Sequence, residues 1–132
     1  MKTSYFANPL LNPERHFRVQ VSNSVPKNYV PDAKWTEVVP DWRTIVSLYK
    51  DHVLSEEEYR IRYRRQLDMR KEAISRSLAF LQKMAGDREI VLLCYETPSS
   101  FCHRRILAGW LKENGFADNV KEMPNSLEQS LF

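Results

Sequence analysis

The chain has 132 residues, of which 42% are hydrophobic and 28% are charged, and its formal net charge at pH 7 is +3. This length predicts one soluble globular domain that buries about two-thirds of its unfolded surface. No apolar run approaches the ~20 residues that span a bilayer, and residues 1–16 lack the continuous apolar segment of a signal peptide. We therefore expect a cytoplasmic protein without membrane contact, whose two cysteines, Cys94 and Cys102, are reduced thiols.

Two short strands are predicted near the N-terminus. Residues 2–8 (KTSYFAN) are rich in β-branched and aromatic side chains and end at Asn8-Pro9. Residues 17–22 alternate, with Phe17, Val19 and Val21 on one face and polar side chains on the other. This alternation is typical of a strand with one buried face.

The segment 23–41 contains Pro26, Pro31 and Pro40 and shows no periodicity, so it is interpreted as a long ordered loop. Tyr29 and Trp35 provide it with large side chains for packing. Two interpretations stay open, a lid over a binding site and a loop folded onto the core.

A helical region is predicted in the middle of the chain. Asp41 is placed to cap its first helix, and a Ser-x-x-Glu capping box begins at Ser55. Asp68 is a candidate cap for a further helix, so residues 56–85 form either one helix or two. Gly86 is a typical helix-ending glycine.

The C-terminal half predicts a strand and a helix in close succession. Residues 89–96 are a continuous apolar run, typical of a strand buried on both faces, and residues 102–114 follow as a helix. A last strand is expected within 119–123, before a polar tail at 125–132. The pattern predicts an α/β fold, a single compact domain over residues 1–132 with a central, mainly parallel sheet flanked by helices. Ligands of such sheets bind beyond the carboxyl ends of the strands.

Unusual positive charge marks the start of the predicted helix 102–114. Its first turn contains Cys102, His103, Arg104 and Arg105, although a helix N-terminus is already electropositive and disfavours arginine by up to ~1 kcal/mol. A bound anion reverses this cost, because free backbone N–H groups, the helix dipole and a guanidinium all favour it. The alternative is a structural role, with Cys102 packed at the helix start and His103 bonded to a carbonyl.

The leading hypothesis is therefore a binding site for an anionic small molecule, most simply a nucleotide or its derivative. Arg104 is assigned as the charge partner, His103 as a donor or general acid, and Glu96 as a hydroxyl acceptor or base. Ser4 and Tyr5 are expected to complete the site from the neighbouring strand.

Two chemical alternatives involve the cysteines. The helix start lowers the pKa of Cys102, which opens nucleophilic thiol catalysis with His103 and Glu96 as further catalytic candidates. A zinc site from Cys94, Cys102, His103 and a distant histidine has no Cys-x2-Cys spacing, so no metal and no cofactor are expected.

The arginine-rich segment 60–71 supports a different class of function. Arg60, Arg64 and Lys71 lie along one face of the predicted helix, where they would contact the phosphates of nucleic acid or an acidic partner protein. The simpler alternative is a solvated face balanced by the glutamates at 56–58. A viral interaction protein that sequesters a host ligand or blocks a host partner also stays open.

The run VLLCYETPSSFCHRRILAGWL (residues 91–111) resembles the C-terminal signature of the domain-of-unknown-function family 488, in which a buried strand ends in Leu-Cys-x-Glu and a helix opens with Cys-His-Arg. The segments TSYFAN and VSNSVPKNY resemble its N-terminal strand and its Ser-x-Ser-x-Pro loop. The resemblance implies a compact α/β domain of prokaryotic or viral origin without an assigned reaction. The positions shared with the family are Ser4, Tyr5, Asn8, Cys94, Glu96, Cys102, His103 and Arg104. Many members have an arginine where this chain has Asn23, which implies the loss of a second anion contact.

Overall fold

The computed structural model describes residues 1–96 and 101–127, and its centre is a parallel β-sheet of five strands in the order β3-β2-β4-β1-β5. Every neighbouring pair runs parallel. The strands are β1 (Lys2–Tyr5), β2 (His16–Gln20), β3 (Ala33–Lys34), β4 (Glu89–Cys94) and β5 (Lys121–Glu122). The predicted α/β class with a central parallel sheet is confirmed.

The central strand β4 is buried on both faces, as its apolar run predicts. Ile90, Leu92 and Cys94 join the core cluster on the helical side of the sheet. Val91 and Leu93 face the other side, where they pack against the loops that follow β1 and β2. Alternate side chains of a strand point to opposite faces, so a continuous apolar run is needed to fill both layers.

The helices lie on one face of the sheet. A π-helical turn (Trp42–Val46) continues directly into α1 (Ser47–Lys50), and the longer helices are α2 (Glu56–Met69), α3 (Lys71–Ala85) and α4 (His103–Glu113). None of the helices in the described ranges is long and apolar enough to cross a membrane.

Local sequence signals explain most helix ends. Asp41 accepts a hydrogen bond from the backbone N–H of Thr44 at 2.9 Å, and Ser55 forms the predicted capping box with Glu58. Gly86 ends α3 with φ at 60°, a conformation that glycine adopts without steric cost.

The region 56–85 forms two helices that meet at Arg70. The expectation that Asp68 caps the second helix is wrong. Its carboxylate instead accepts a hydrogen bond from the indole N–H of Trp110 at 2.8 Å, which ties α2 to α4. A tertiary partner thus takes the side chain that local sequence assigns to a cap.

The proline-rich segment 23–41 is folded onto the body of the protein. Trp35 is only 1% exposed, and its indole N–H donates to the hydroxyl of Ser77 on α3 at 2.7 Å. Tyr29 packs edge-on against Phe6 on the opposite face of the sheet. These two large side chains anchor the segment in the two core layers.

Candidate ligand-binding site

A cavity of about 280 Å³ lies at the carboxyl edge of the sheet, where β2 and β4 end and α4 begins. Aromatic and polar side chains make up most of its lining. The aromatic lining residues are Trp42, Tyr49, Tyr59, Tyr95 and Phe101, and the polar ones include Ser22, Asn23, Ser24, Lys50 and Glu96.

Three of the aromatic rings pack edge-to-face against one another. The ring centroid of Phe101 lies 5.1 Å from those of Tyr49 and Tyr59, with interplanar angles of 89°. This is a favoured geometry for aromatic pairs, so this part of the wall is rigid. Trp42 and Tyr95 are 48% and 45% exposed, which leaves both rings available to a planar ligand.

Polar groups at the rim carry charges of both signs. The ammonium group of Lys50 lies 5.4 Å from the centroid of the Trp42 ring, and the carboxylate of Glu96 is exposed. Burial, with a contribution from the nearby Glu96 charge, raises the pKa of the Tyr59 hydroxyl. Tyr59 is therefore a neutral group at pH 7.

His103 belongs to the lining of the cavity although it is only 8% exposed, and one hydrogen bond determines its orientation. Its Nε2 lies 2.6 Å from the carbonyl oxygen of Val21, so Nε2 donates and Nδ1 keeps a lone pair. Burial lowers its pKa to about 4, against the hydrogen bond to Val21, and the neighbouring Arg104 lowers it further. The imidazole is neutral at pH 7 and its single N–H is already engaged.

Arg104 is completely buried and does not line the cavity. Its Nε and Nη2 donate to the two carboxylate oxygens of Glu122 at 3.0 and 2.9 Å. Its Nη1 donates to the carbonyl oxygen of Glu96 at 2.5 Å and contacts the sulfur of Cys94 at 3.0 Å. The sequence predicts that the Arg104 guanidinium binds an external anion, whereas in the structure Glu122 compensates its charge.

Cys94 and Cys102 are joined in a disulfide, which contradicts the expectation of two reduced thiols. Their Cα atoms are 7.6 Å apart. The two sulfurs and a ring nitrogen of His103 all lie within 4.8 Å of one another, so three potential zinc ligands come together here. Because the two sulfurs are bonded to each other, neither is available as a thiolate ligand in this state.

Ser4 and Tyr5 lie in β1 and do not line this cavity. The hydroxyl of Ser4 is fully buried and accepts a hydrogen bond from Asn8 at 2.8 Å. Asn8 also donates to the carbonyl oxygen of Pro124, so these residues connect β1 to the segment after β5. Ser4 and Asn8 therefore have a structural role, because their hydrogen bonds link β1 to the segment that follows β5.

A basic groove of about 240 Å³ adjoins the aromatic cavity. It contains Arg60, Arg64 and Arg105, and it shares two wall residues with the cavity, Phe101 and Cys102. The guanidinium of Arg60 lies 5.6 Å from the centroid of the Phe101 ring.

The three arginines of this groove differ in their pairing. Arg64 forms an ion pair with Glu113. Within residues 1–96 and 101–127, neither Arg60 nor Arg105 has a carboxylate at ion-pair distance. The sequence predicts a nucleic-acid-binding stripe for Arg60 and does not bring Arg105 beside it, because the pattern of one helix does not show which second helix is its neighbour.

The remaining arginines of the 60–71 segment lie in another groove, formed with the start of the π-helical turn. Arg62 donates to the carbonyl oxygen of Thr44 at 2.9 Å, and Arg70 donates to that of Glu37 at 3.3 Å. The arginines of this segment thus lie in two grooves, and Arg60 and Arg64 of the predicted stripe are together in the first of them.

A family model described as the active DUF488-N3 subclade (DUF488-N3a) matches residues 11–115, well over half of the chain. The protein therefore belongs to the DUF488 family, as the signature in residues 91–111 predicts. The matched range contains the aromatic cavity, the basic groove and the Cys-His-Arg turn. No curated protein and no solved structure gives a significant match.

Proposed function

We propose that the protein binds an anionic, nucleotide-like small molecule, with its planar ring in the aromatic cavity and its charged group in the basic groove. The observation that supports this is the adjacency of the two spaces, which share Phe101 and Cys102 as a common wall. A ligand with an aromatic end and an anionic end matches both at once.

Each end of such a ligand, the aromatic ring and the anionic group, has a favourable contact of its own. Stacking of a base on an aromatic side chain contributes about 1–3 kcal/mol, and Trp42 and Tyr95 are half exposed at the cavity. Guanidinium groups bind phosphate through paired, charge-assisted hydrogen bonds, which suits Arg60 and Arg105. The positive end of the α4 dipole lies beside these two arginines and adds to the attraction for an anion.

In this arrangement Arg60 and Arg105, and not Arg104, contact the anionic group of the ligand. Arg104 instead holds the start of α4 through Glu122, and Ser4 and Tyr5 support the sheet behind the site. Glu96 remains the candidate acceptor for a ligand hydroxyl, since it lines the cavity and is exposed.

A catalytic role is supported by membership of the DUF488-N3 subclade that is described as active. Cys102, His103 and Glu96 are the candidate catalytic residues, and all three line the cavity. A thiolate–imidazolium pair is disfavoured because burial keeps His103 neutral at pH 7. We therefore propose ligand binding as the function and name no reaction.

The test is thermal melting with nucleoside mono- and diphosphates, sugar phosphates and short oligonucleotides. A ligand at 100 times its dissociation constant stabilises the fold by about 2.7 kcal/mol, which moves the midpoint measurably. The shift should be reduced in Arg60→Gln and Arg105→Gln, which change the basic groove. The matched control is Arg65→Gln in the other groove, which should keep the shift. No shift with any anion contradicts the proposal.

A second candidate function is the binding of nucleic acid, supported by the position of α2 between two arginine-containing grooves. It predicts that an oligonucleotide binds where mononucleotides do not, with affinity that falls steeply as salt increases. It also predicts that Arg65→Gln weakens binding as much as Arg60→Gln, since phosphates then follow both grooves. A salt-insensitive complex with a single nucleotide excludes this candidate.

A further inference from the structure

We propose that Cys94 and Cys102 form a reversible dithiol–disulfide couple that exchanges with low-molecular-weight thiols and disulfides of the glutathione type. The proposal does not depend on the identity of the ligand that the cavity binds. It is based on the disulfide itself, on the unequal access to its two sulfurs and on the groups that contact each of them.

The two cysteines differ in access. Cys102 is the residue at which α4 begins, and it belongs to the walls of both the aromatic cavity and the basic groove. Cys94 is 0% exposed at the end of β4 and lines neither space. Cys102 is only 4% exposed, but it is the one of the two cysteines that adjoins these spaces, so we expect an incoming thiolate to attack Cys102, beside the positive charges of Arg60 and Arg105.

Cys94 has the environment of a good leaving group. The Nη1 of Arg104 lies 3.0 Å from its sulfur, and a guanidinium at this distance stabilises a thiolate. Arg104 is held in place by both carboxylate oxygens of Glu122. The faster-leaving sulfur in thiol–disulfide exchange is the one whose thiolate is more stable.

Reduction follows from these positions in two balanced steps. An external thiolate bonds to the sulfur of Cys102, the bond between Cys102 and Cys94 breaks, and its electron pair stays on Cys94 as a thiolate beside Arg104. A second external thiolate then bonds to the external sulfur of the mixed disulfide. Cys102 leaves as a thiolate, and one small-molecule disulfide is released. The reverse steps oxidise the pair, with the small-molecule disulfide as the oxidant.

The residues around Cys94 and Cys102 suit both the oxidised and the reduced state of the pair. In the reduced state the Nδ1 lone pair of His103, 3.9 Å from the sulfur of Cys102, is positioned to accept an S–H hydrogen bond. The cysteines are only 8 residues apart, and short closed loops stabilise a fold less than long ones. Opening the bond therefore leaves the domain folded.

The test is to equilibrate the full chain with mixtures of reduced and oxidised glutathione, quench it with an alkylating tag and measure the intact mass. The expected result is a reversible transition from no tags to two tags per chain at an intermediate ratio. Cys94→Ser should accumulate glutathione on Cys102, whereas Cys102→Ser should leave the buried Cys94 unmodified while the protein stays folded. Peptide mapping of briefly quenched wild-type protein locates the mixed disulfide if the variants do not fold.

Three results would overturn the proposal. The first is complete tagging of both cysteines at every ratio, and the second is a mixed disulfide located on Cys94. The third is protection of both cysteines until a chelator is added, with one metal ion per chain by elemental analysis, which indicates a thiolate metal centre instead.

Discussion

Arg104 and Glu122 form a bidentate ion pair that joins the first turn of α4 to the edge strand β5. Arg104 is 0% exposed, and the same carboxylate also accepts a hydrogen bond from the hydroxyl of Thr3 at 2.7 Å. The pair therefore ties together a helix and two strands. It also explains how an arginine is tolerated at the positive end of a helix, because Glu122 supplies the compensating charge.

Replacing Glu122 with glutamine should lower the free energy of unfolding by about 3 kcal/mol, since Arg104 is then left buried with an uncompensated charge. Urea denaturation followed by circular dichroism measures this change directly.

The matched control is Glu113→Gln, which removes the partner of Arg64 in a pair with 40% and 58% exposed side chains. Exposed pairs contribute about 0–1 kcal/mol, so this variant should remain close to the wild type. Equal losses in the two variants would show that burial of the Arg104–Glu122 pair has no special importance.

The fold was largely predictable because its main elements carry local signals. The apolar run in β4 needs burial on both faces, and the Ser55 capping box starts α2 with two side chains that are three residues apart. The sequence does not predict the π-helical turn or the two-residue strand β3, whereas β5 lies within the expected range 119–123. Short elements of this kind are stabilised by neighbours that are distant in the sequence.

The site was predictable in position and only partly in composition. The carboxyl edge of the sheet follows from an α/β pattern, and Glu96 and Cys102 do line the cavity. The pairing of Arg104 with Glu122, 18 residues away, depends on β5 lying beside β1. The periodicity of one element does not show which distant element will lie beside it. For the same reason, the sequence does not show that aromatic residues from separate elements form one wall of the cavity.

Removing the half-exposed ring of Trp42 should weaken binding of a nucleotide-like ligand without unfolding the protein. Loss of one stacking contact of about 1–3 kcal/mol corresponds to roughly 5- to 150-fold weaker binding in Trp42→Ala. Isothermal titration with the best ligand of the melting panel measures the effect.

Phe80→Ala is the control for Trp42→Ala, because Phe80 is a 64% exposed ring that lies on α3 and outside the cavity. Its dissociation constant should match that of the wild type. A Trp42→Ala variant that binds as well as this control would move the ligand's ring away from the aromatic cavity.

The hydroxyl of Tyr63 should matter for stability although Tyr63 does not line the cavity. It donates to the carbonyl oxygen of Val38 at 2.5 Å, and Tyr63 is 0% exposed. Tyr63→Phe leaves that buried carbonyl without its partner, which costs about 1–3 kcal/mol in unfolding free energy. In Tyr49→Phe, where the hydroxyl bond to Glu56 is exposed and 3.4 Å long, the loss should be smaller. Similar denaturation midpoints for the two variants would contradict this ranking.

Acid should destabilise the protein through His103. Burial lowers its pKa to about 4 from the usual 6.5, so between these values the unfolded chain binds a proton that the folded protein does not. The stabilisation is complete above pH 6.5 and is lost as the pH falls through this window, by about 3 kcal/mol in total. Denaturation curves measured across the window test this slope.

Two variants isolate the contribution of His103 from that of the acidic residues. His103→Gln keeps an N–H that can donate to Val21 but does not titrate, so its unfolding free energy should fall less steeply between pH 6.5 and 4. His52→Asn changes an exposed histidine with φ at 61°, a conformation that asparagine tolerates, and should keep the wild-type slope. If His103→Gln also keeps the wild-type slope, the imidazole is protonated equally in the folded and unfolded states, and its assignment as a buried neutral donor to Val21 is wrong.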